Sequence, residues 1–539
     1  MKYYNKILIG VVLGSLLITS CVKDLDVKPI DKNQILTGNL PNIPDAALKT
    51  LAKLYASFSV PGQEGVSQGG DIAGIDLGFG VYSRCLWNCE ELATDEALCA
   101  WNDQTIKNFH WQLWTSSDVF ITAMYSRIIY TVTICNEFIR TNSGTANDTV
   151  KMYIAEARFL RSLAYYHAID LFGTPGFLTE ADKPGNFYPK QTTRTALFSY
   201  IESELKAIEN ILGAPRWSYG HADKAAVWML LARLYLNAEV YVGTQRWADC
   251  ITYCSKVLNA GYTLEPSYRL NFSADNNNSR EMIFAINCDG LYTQSYGGTT
   301  FVIHAAVGGT MNTAALGLAT GGGWGGNRTT KDFVNVLIDT LAYPFDPTDV
   351  NFARVKDTRI HLQLLTNWDI YSVGTFTDGI AVTKYTNLNN DGSKAADYSD
   401  AFCSTDFPIF RLADAYLMHA EATIRSGGDQ NTAISDINLL RDRAYGDKSG
   451  EITTDPATWS HAATLLDLIL DERGRELYWE CVRRTDLIRY DKFVTDKYLW
   501  AWKGNAFRGQ ATDAHLNIYP IPSSEVGTNP NMKQNPGYN

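Results

Sequence analysis

Apolar side chains recur at helical spacing over two long stretches of the chain. Between residues 150 and 172 an apolar stripe includes Leu160 and Leu163, and Gly173 ends the pattern. Because an α-helix brings every third or fourth residue onto one face, this stripe predicts an amphipathic helix. Residues 222–241 carry a second stripe of the same period. The same pattern predicts further helices at 44–58, 118–141, 194–212, 246–259, 408–426, 431–445 and 463–480.

Several of the predicted helices come in pairs whose apolar stripes contain small residues. Ala225, Ala232 and Ala420 lie on such stripes. Paired helices that cannot bury both of their faces alone are typical of a stacked helical-repeat scaffold. The pattern therefore predicts a mainly α fold with a tetratricopeptide-like scaffold at about 44–260 and 406–490. The spacing of the pairs is irregular, so a strict repeat is not visible.

Two other regions, at about 61–115 and 262–405, are predicted to be rich in loops. Turn-forming residues accumulate there, as in "NLNNDGSKAADYSD", while the short runs "EMIFAIN" and "AVTKY" predict strands. Two tryptophans stand in stretches without helical or strand period: Trp101 in "TDEALCAWNDQT" and Trp324 in "ATGGGWGGNRTT". Long ordered loops on a rigid scaffold commonly carry binding residues, so we expect the ligand site in these regions.

Residues 1–20 form a predicted export signal. Two lysines precede an apolar run at 7–18, which is too short to span a bilayer, and small residues lead to Cys21. A cysteine directly after Ile-Thr-Ser resembles a bacterial lipoprotein processing site. Cleavage there would make Cys21 the acylated N-terminus of a mature domain at 21–539, and several acyl chains together give stable membrane anchoring. A plain signal peptide followed by a chance cysteine is the alternative.

Charge and composition narrow the class of ligand. The 539-residue chain has 47 Lys and Arg against 58 Asp and Glu, a formal net charge of −11, and 12% aromatic residues. Nucleic acid and anionic membrane surfaces are recognised by clustered cationic side chains, so this balance argues against both as partners. A neutral, hydroxyl-rich ligand is favoured instead. The nine cysteines other than Cys21 are irregularly spaced, which favours free, buried thiols.

Several stretches together resemble the SusD/RagB family of outer-membrane lipoproteins. They include "AEARFLRSLAYYHAIDLFGTPGF", "DFPIFRLADAYLMHAEATIRSGG", "DERGRELYWECVRRTDLIRYDKF" and "NPNMKQNPGY". The resemblance runs from Cys21 to the last residues and implies about four tetratricopeptide-like helix pairs packed against a loop-rich region. It also implies a lipid-anchored protein on the exterior of the outer membrane, which captures nutrients for a SusC-type TonB-dependent transporter.

The stretches "GHADKAA", "SYGGTTF" and "DKYLWAWKG" are similar to the starch-binding branch of this family. The resemblance implies an aromatic arc that holds starch or malto-oligosaccharides, formed here by Trp101, Tyr296 and Trp324. It further implies side chains that hydrogen-bond the sugar hydroxyls, at Asp76, Arg84, Asn102 and Gln104. Gln104 departs from the family pattern, which has asparagine at this position, and the neighbouring Asn102 is the alternative.

The chemistry of these residue types also suits a sugar. A glucose ring has an apolar face of C–H groups, which stacks on aromatic rings, and a rim of hydroxyls, which guanidinium and carboxylate groups bind. Each aromatic contact contributes about 0.5–1.5 kcal/mol beyond area burial. Three such contacts with a few hydrogen bonds predict weak binding, roughly millimolar to tens of micromolar. Repeated sites on a polymer would raise the effective affinity.

Other interpretations of the same residues are open at the level of sequence. Either tryptophan could fold back onto a core, the cargo could be another glycan or a peptide, and the protein could be a scaffold for other proteins. A glycoside hydrolase needs two carboxyl groups at a defined distance across the scissile bond. The adjacent pairs Glu90–Glu91 and Asp95–Glu96 do not show that geometry and are predicted to be solvated in a loop. We therefore expect a binding protein and no enzymatic activity.

A structural calcium ion is the only cofactor that the resemblance brings up, and none is required. The two loops near such an ion in the family correspond here to "ADNNNSR" and "STDF". Of the carboxylates only Asp406 is kept, whereas Asn277 and Ser404 stand at the other positions. Because calcium prefers several hard oxygen ligands, ideally charged, Asp406 and Asn277 make an incomplete candidate set.

Overall fold

The computed structural model of the chain describes residues 45–182, 185, 187–338 and 348–538. The chain divides into two units, residues 1–48 and 49–539, and nearly all of the described residues belong to the second. The predicted export signal and Cys21 lie outside the described residues. The candidate site lies within the second unit.

Helices dominate the described residues, which confirms the predicted mainly α fold. Most of the predicted helices are present with ends shifted by a few residues, and several short helices lie in the regions predicted to be loops. The α-helices, numbered α1 to α16 along the chain, are Ala46–Ala56, Tyr82–Glu91, Gln104–Trp111, Val119–Asn142, Asp148–Leu171, Arg194–Ile208, Lys224–Leu236, Ala238–Val242, Trp247–Leu258, Gly298–Ala305, Lys331–Leu337, Leu412–Arg425, Gln430–Tyr445, Leu465–Leu477, Arg483–Arg489 and Ser523–Thr528.

Local hydrogen bonds define where the long helices begin and end. The Asn147 side chain accepts from the main-chain N–H groups of Thr149 and Val150 at the start of α5, and Asp223 caps α7 in the same way. These contacts satisfy N–H groups that have no partner within the helix. Directly after α13, Gly446 adopts a left-handed conformation with a φ of 73°, which a side chain would strain.

The long helices pack side by side in successive pairs. Helix α4 packs along α5, α7 packs against α9, and α12 packs against both α9 and α13. Small buried residues such as Ala225, Ala232 and Ala420 lie among the larger apolar side chains of these faces. Small side chains at the contact shorten the distance between helix axes. This stacking confirms the tetratricopeptide-like scaffold.

Helix α4 is long and apolar enough, by length and composition alone, to cross a membrane. Of the residues in its most apolar 18-residue window, 61% are buried inside the protein. The helix begins at the capping residue Asp118 and packs against α2 and α5. These contacts are those of a helix in the core of the fold.

Four antiparallel two-stranded sheets lie among the helices and loops of the described residues. The strands, numbered β1 to β8, are Leu98–Cys99, Gly176–Phe177, Lys190–Gln191, Met282–Ile286, Asn327–Arg328, Leu362–Leu364, Ile380–Val382 and Phe407–Arg411. Strand β1 pairs with β5, β2 with β3, β4 with β8, and β6 with β7. The runs "EMIFAIN" and "AVTKY" contain β4 and part of β7, as predicted. The helix predicted from residue 408 begins instead at Leu412, because β8 pairs with β4 first.

The adjacent acidic pairs are buried, so the prediction that Glu90–Glu91 and Asp95–Glu96 are solvated is wrong. Arg483 donates to both carboxylate oxygens of Asp95, at 2.9 and 2.7 Å. A buried carboxylate is tolerated when an opposite charge and hydrogen bonds replace its water. Arg483 lies almost 400 residues further along the chain, at a separation of 388. The local sequence therefore gave no sign of this partner.

All nine cysteines of the described residues are free thiols, as the sequence predicted. Cys250 and Cys254 lie on successive turns of α9, and their sulfur atoms are 3.9 Å apart. This separation is about twice the length of an S–S bond, so the two thiols are neighbours without a covalent link.

Candidate functional site

Three aromatic side chains from distant loops meet at one place. The ring centroids of Trp101 and Trp324 are 6.4 Å apart, and those of Tyr296 and Trp324 are 6.2 Å apart. The rings are tilted against each other by 42° and 59°. Tyr296 is 38% exposed, and both tryptophans are partly exposed. The three rings therefore form a bent surface that solvent reaches, and we call it the aromatic arc.

Main-chain pairing brings the two tryptophans together. Strand β1 ends shortly before Trp101, β5 begins shortly after Trp324, and the two strands are antiparallel partners. The pairing continues beyond the strands, because the N–H of Ala100 donates to the carbonyl of Gly326 at 2.9 Å. The indole N–H of Trp101 also donates to the carbonyl of Trp324 at 3.1 Å. The separation of the two rings is thus set by backbone hydrogen bonds.

Helix α10 connects the third ring to this pair. It begins just after Tyr296, and its last turn holds the Trp324 loop, since the N–H of Trp324 donates to the carbonyl of His304 at 2.7 Å. The imidazole of His304 stacks against the indole of Trp324, with centroids 4.8 Å apart and an angle of 23°. Burial lowers the pKa of His304, so the ring is neutral at neutral pH. His304 covers part of Trp324 and fixes its orientation.

The glycines around Trp324 are required by close contacts. A methyl group on Gly323 would lie 2.3 Å from the carbonyl oxygen of Val307, and one on Gly326 would lie 2.8 Å from the Trp101 ring. Both distances are far below the roughly 3.5–4.0 Å at which non-bonded carbon atoms pack. The run "GGGWGG" therefore lets the loop approach its neighbours closely enough to place Trp324 beside Trp101.

Arg84 links α2 to the arc. Its guanidinium lies 4.1 Å from the ring centroid of Phe301 and 5.5 Å from that of Trp101. Its Nη1 donates to the carbonyls of Gly78 and Tyr296, both at 3.0 Å. Burial lowers the pKa of Arg84 to about 10, so the side chain is still protonated at neutral pH. Arg84 thus holds the Tyr296 loop in place through its carbonyl, and its Nε is buried without a hydrogen-bond partner.

Asp76 is exposed and is tied to Arg84 through one turn. Its Oδ1 accepts from the N–H groups of Gly78 and Phe79, at 2.8 and 3.0 Å. The carbonyl of Gly78 is the one that Arg84 also binds. These contacts hold the Asp76 carboxylate through Oδ1, so Oδ2 can still accept a hydrogen bond from a ligand.

Asn102 and Gln104 are exposed in the segment that follows Trp101. The Asn102 Oδ1 accepts from Lys107, and the Gln104 Nε2 donates to Asn108 at 2.8 Å. Asn102 keeps its amide N–H groups and Gln104 keeps its carbonyl oxygen for a ligand. Both residues lie within three positions of Trp101 in the sequence, and both are exposed. Each keeps at least one polar group that could contact a ligand.

Three further residues at the arc were missed by sequence reasoning. Phe301 lies beneath Arg84, His304 stacks on Trp324, and the ring of Phe402 lies 5.5 Å from that of Tyr296. Phe301 and His304 share one face of α10, but that helix has only 8 residues and gave no recognisable period. Phe402 stands alone in a polar loop, so no sequence signal identified it.

Asp406 and Asn277, the candidate calcium ligands, both line one cavity of about 500 Å³. The carboxylate of Asp406 already accepts hydrogen bonds from the Cys288 N–H, at 2.8 Å, and from the Tyr219 hydroxyl. Burial raises the pKa of Asp406 to about 7. Among the described residues, no group of three or more His, Cys, Asp or Glu side chains is arranged to hold a metal ion. This donor set fits calcium poorly, because hydrogen-bond donors already occupy its one retained carboxylate.

Comparison with known proteins identifies related sequences and structures. The model of the SusD family matches residues 280–538. The starch-binding protein SusD of Bacteroides thetaiotaomicron is 35% identical over 97% of this chain and 96% of its own length. A SusD-like carbohydrate-binding protein of Bacteroides fragilis has a similar structure, with a TM-score of 0.70, 16% identity, and coverage of 92% of this chain and 100% of that one. The surface glycan-binding protein A of B. thetaiotaomicron, solved with laminarihexaose, has a TM-score of 0.65, 18% identity, and coverage of 91% and 99%.

Proposed function

Because this chain belongs to the SusD family, we propose that it is a cell-surface protein that binds starch and malto-oligosaccharides and delivers them to a SusC-type TonB-dependent transporter. Glycan binding is the property that the names of these three similar proteins share. The 35% identity to a starch-binding relative over nearly the whole chain supports starch as the glycan.

The tilt of the aromatic arc is the observation that carries the proposal. Neighbouring rings are turned by 42° between Trp101 and Trp324 and by 59° between Tyr296 and Trp324. A flat glycan chain would stack best on coplanar rings, whereas an α-1,4-linked glucan coils and presents its apolar faces along a curve. Stacking of each C–H face on a ring then needs rings tilted in succession, as these are.

The polar side chains have complementary roles in the proposal. Arg84, still charged at a pKa of about 10, offers guanidinium donors to sugar hydroxyls. The free Oδ2 of Asp76 accepts from hydroxyls, the Asn102 amide N–H groups donate to them, and the Gln104 carbonyl oxygen accepts from them. A hydrogen bond to a neutral amide contributes about 0.5–1.5 kcal/mol net and one to a charged group about 1.5–3 kcal/mol, so these side chains orient the sugar and add to the affinity that the rings supply.

Binding without catalysis is part of the proposal. Cleavage of a glycosidic bond needs a carboxylic acid and a second carboxylate on either side of the bond. The acidic pairs nearest to Trp101 in sequence are buried, and Asp95 is held by Arg483. Asp76 is connected to Arg84 through the Gly78 turn, and Asp103 interacts with Arg84 electrostatically. Asp76 is held by main-chain N–H groups, and this arrangement suits hydrogen bonding to a ligand.

The proposed location of the protein at the cell surface rests on the predicted lipoprotein signal. Acylation of Cys21 would anchor the protein to the outer membrane, and the described domain would face the exterior, where polysaccharide is present. The short charged stretch "VKDLD" after Cys21 would serve as a tether. Passing cargo to a membrane transporter requires the binding protein to stay beside it, which a lipid anchor provides.

Calorimetry with a panel of soluble glycans tests the proposed function. We expect heat of binding with maltoheptaose, at a dissociation constant of roughly millimolar to tens of micromolar, and none with fructan, mannan or laminarin oligosaccharides. In the same samples, purified protein should release no reducing sugar from amylose. Binding of laminarin in place of maltoheptaose would assign the site to a different glucan, and reducing-sugar release would contradict a binding-only role.

A further inference from the structure

A second exposed aromatic cluster lies outside the arc. Tyr371 is 62% exposed, and its ring stacks on that of Phe507 with centroids 5.7 Å apart and an angle of 13°. The indole of Trp502 meets Phe507 edge-on at 6.2 Å, and the guanidinium of Arg508 lies 5.9 Å from the Phe507 ring centroid. We call these four residues the outer aromatic cluster.

The strand pair that positions the arc also fixes the outer aromatic cluster. Trp502 packs with Leu98 of β1 in a small buried cluster, and its indole N–H donates to the carbonyl just before Tyr371, at 2.7 Å. Arg328 of β5 donates to the carbonyl of Val373 at 2.7 Å. The loop around Tyr371 is therefore attached directly to β5 by Arg328, and to β1 by apolar packing and through Trp502. The arc and the outer aromatic cluster share one rigid support.

The polar groups of the outer aromatic cluster are available to a ligand. Within the described part of the chain, the Tyr371 hydroxyl has no hydrogen-bond partner and Arg508 has neither a hydrogen bond nor an ion pair. Partly exposed aromatic rings beside a guanidinium are also found at the arc, where Arg84 lies beside Trp101, although Arg84 is buried and binds two carbonyls. The rings offer stacking to the C–H face of a sugar, and the guanidinium offers donors to its hydroxyls.

We propose that the outer aromatic cluster is a second carbohydrate subsite, which binds further residues of the α-glucan chain held by the arc. This proposal rests on the starch-binding function proposed above. The shared support of β1 and β5 favours a continuous ligand over an unrelated partner. The chain's net charge of −11 disfavours an anionic polymer at the same surface.

A second subsite has a different effect on long and short ligands. A polymer that reaches both subsites gains from the effective concentration of its second segment, while a small cyclic glucan that fills the arc gains nothing. Loss of the outer aromatic cluster should therefore weaken binding of amylopectin and leave binding of a cyclodextrin unchanged.

Affinity electrophoresis and calorimetry on the full-length protein test this proposal. The variants are Tyr371→Ala, which removes the exposed ring, Tyr371→Phe, which keeps the ring, and Tyr188→Ala, a tyrosine that is 49% exposed elsewhere. We expect Tyr371→Ala to weaken retention on amylopectin by about three- to tenfold, the loss of one aromatic contact. Tyr371→Phe and Tyr188→Ala should match the wild type, and all three variants should bind cyclodextrin with wild-type affinity.

The outcomes separate this proposal from the function on which it rests. If the wild type is retained and Tyr371→Ala behaves like Tyr188→Ala, the subsite is wrong and the starch-binding function stands. If Tyr371→Ala weakens cyclodextrin and amylopectin equally, Tyr371 only supports the arc, and the subsite is again wrong. If the wild type is not retained on amylopectin, the starch-binding function fails and the subsite fails with it.

Discussion

Replacing Trp324 by alanine should abolish retention of the protein on amylopectin while its fold is preserved. Trp324 is the central ring of the arc, because it contacts both Trp101 and Tyr296. Its removal loses a stacking contact of about 0.5–1.5 kcal/mol and the burial of apolar area at about 25 cal/mol per Å². A total of about 2–3 kcal/mol corresponds to a fall in affinity of roughly 30- to 150-fold, which takes weak binding below detection.

A matched control separates loss of the arc from general effects of removing a tryptophan. Trp217 is 41% exposed and packs against His221, with ring centroids 5.1 Å apart. Trp217→Ala should be retained like the wild type, and its circular dichroism spectrum and that of Trp324→Ala should match the wild-type spectrum. Trp101→Ala should behave like Trp324→Ala. Normal retention of both Trp101→Ala and Trp324→Ala would overturn the assignment of the arc as the binding site.

Replacing Arg411 by alanine should cause a large loss of stability. Arg411 is fully buried and makes ion pairs with Glu281, Glu476 and Glu480, at 2.6, 2.7 and 2.7 Å. Removal of the cation leaves three buried carboxylates that the remaining cations Arg443 and Lys384 compensate only in part. Deleting one member of a buried ion pair costs about 3–5 kcal/mol, and we expect at least this loss in the free energy of unfolding.

Denaturant unfolding, followed by circular dichroism, measures this effect against an exposed pair. Lys151 binds Asp148 at 2.7 Å, with side chains that are 50% and 93% exposed. Because water screens such a pair, Lys151→Ala should change the free energy of unfolding by less than about 0.5 kcal/mol. A loss below about 1 kcal/mol for Arg411→Ala would show that the buried network does not stabilise the fold as argued.

The long helices were predictable from sequence, and the short ones were not. Helix α5 has exposed or half-exposed positions only in its first half, and every residue from Phe159 to Leu171 is buried. Its 24-residue length and the following Gly173 nevertheless define it within a few residues. All ten residues of α2, Tyr82–Glu91, are buried. A helix buried on every side has no polar face, so its sequence shows no period. Arg84 could therefore be named from the sequence but could not be placed on a helix.

The burial of the acidic pairs was the other feature that could not be predicted from the sequence. A run such as Glu90–Glu91 or Asp95–Glu96 is normally solvated, and only the folded chain brings Arg483 next to Asp95. Partners this far apart leave no local pattern. Burial of a charge depends on such partners, so it follows from the tertiary structure and not from the adjacent residues.

The arc was only partly visible in the sequence. Trp101 and Trp324 stand out because each lies in a stretch without secondary-structure period, and the family resemblance joined them to Tyr296. The contacts that bring them together belong to two-residue strands, β1 and β5, which are too short to leave a pattern of alternation. The stacking of His304 on Trp324 depends on the same close approach, and no sequence feature indicated it.

Calorimetry of the wild-type protein with a cyclodextrin and with maltoheptaose tests the central claim most directly. Both ligands offer the same glucose units, and the cyclodextrin is already curved. If the tilted rings of Trp101, Tyr296 and Trp324 hold a coiled α-glucan, the cyclodextrin should bind at least as tightly as maltoheptaose, because it loses less conformational freedom. Absence of heat with the cyclodextrin, or binding of the linear ligand alone, would contradict the account.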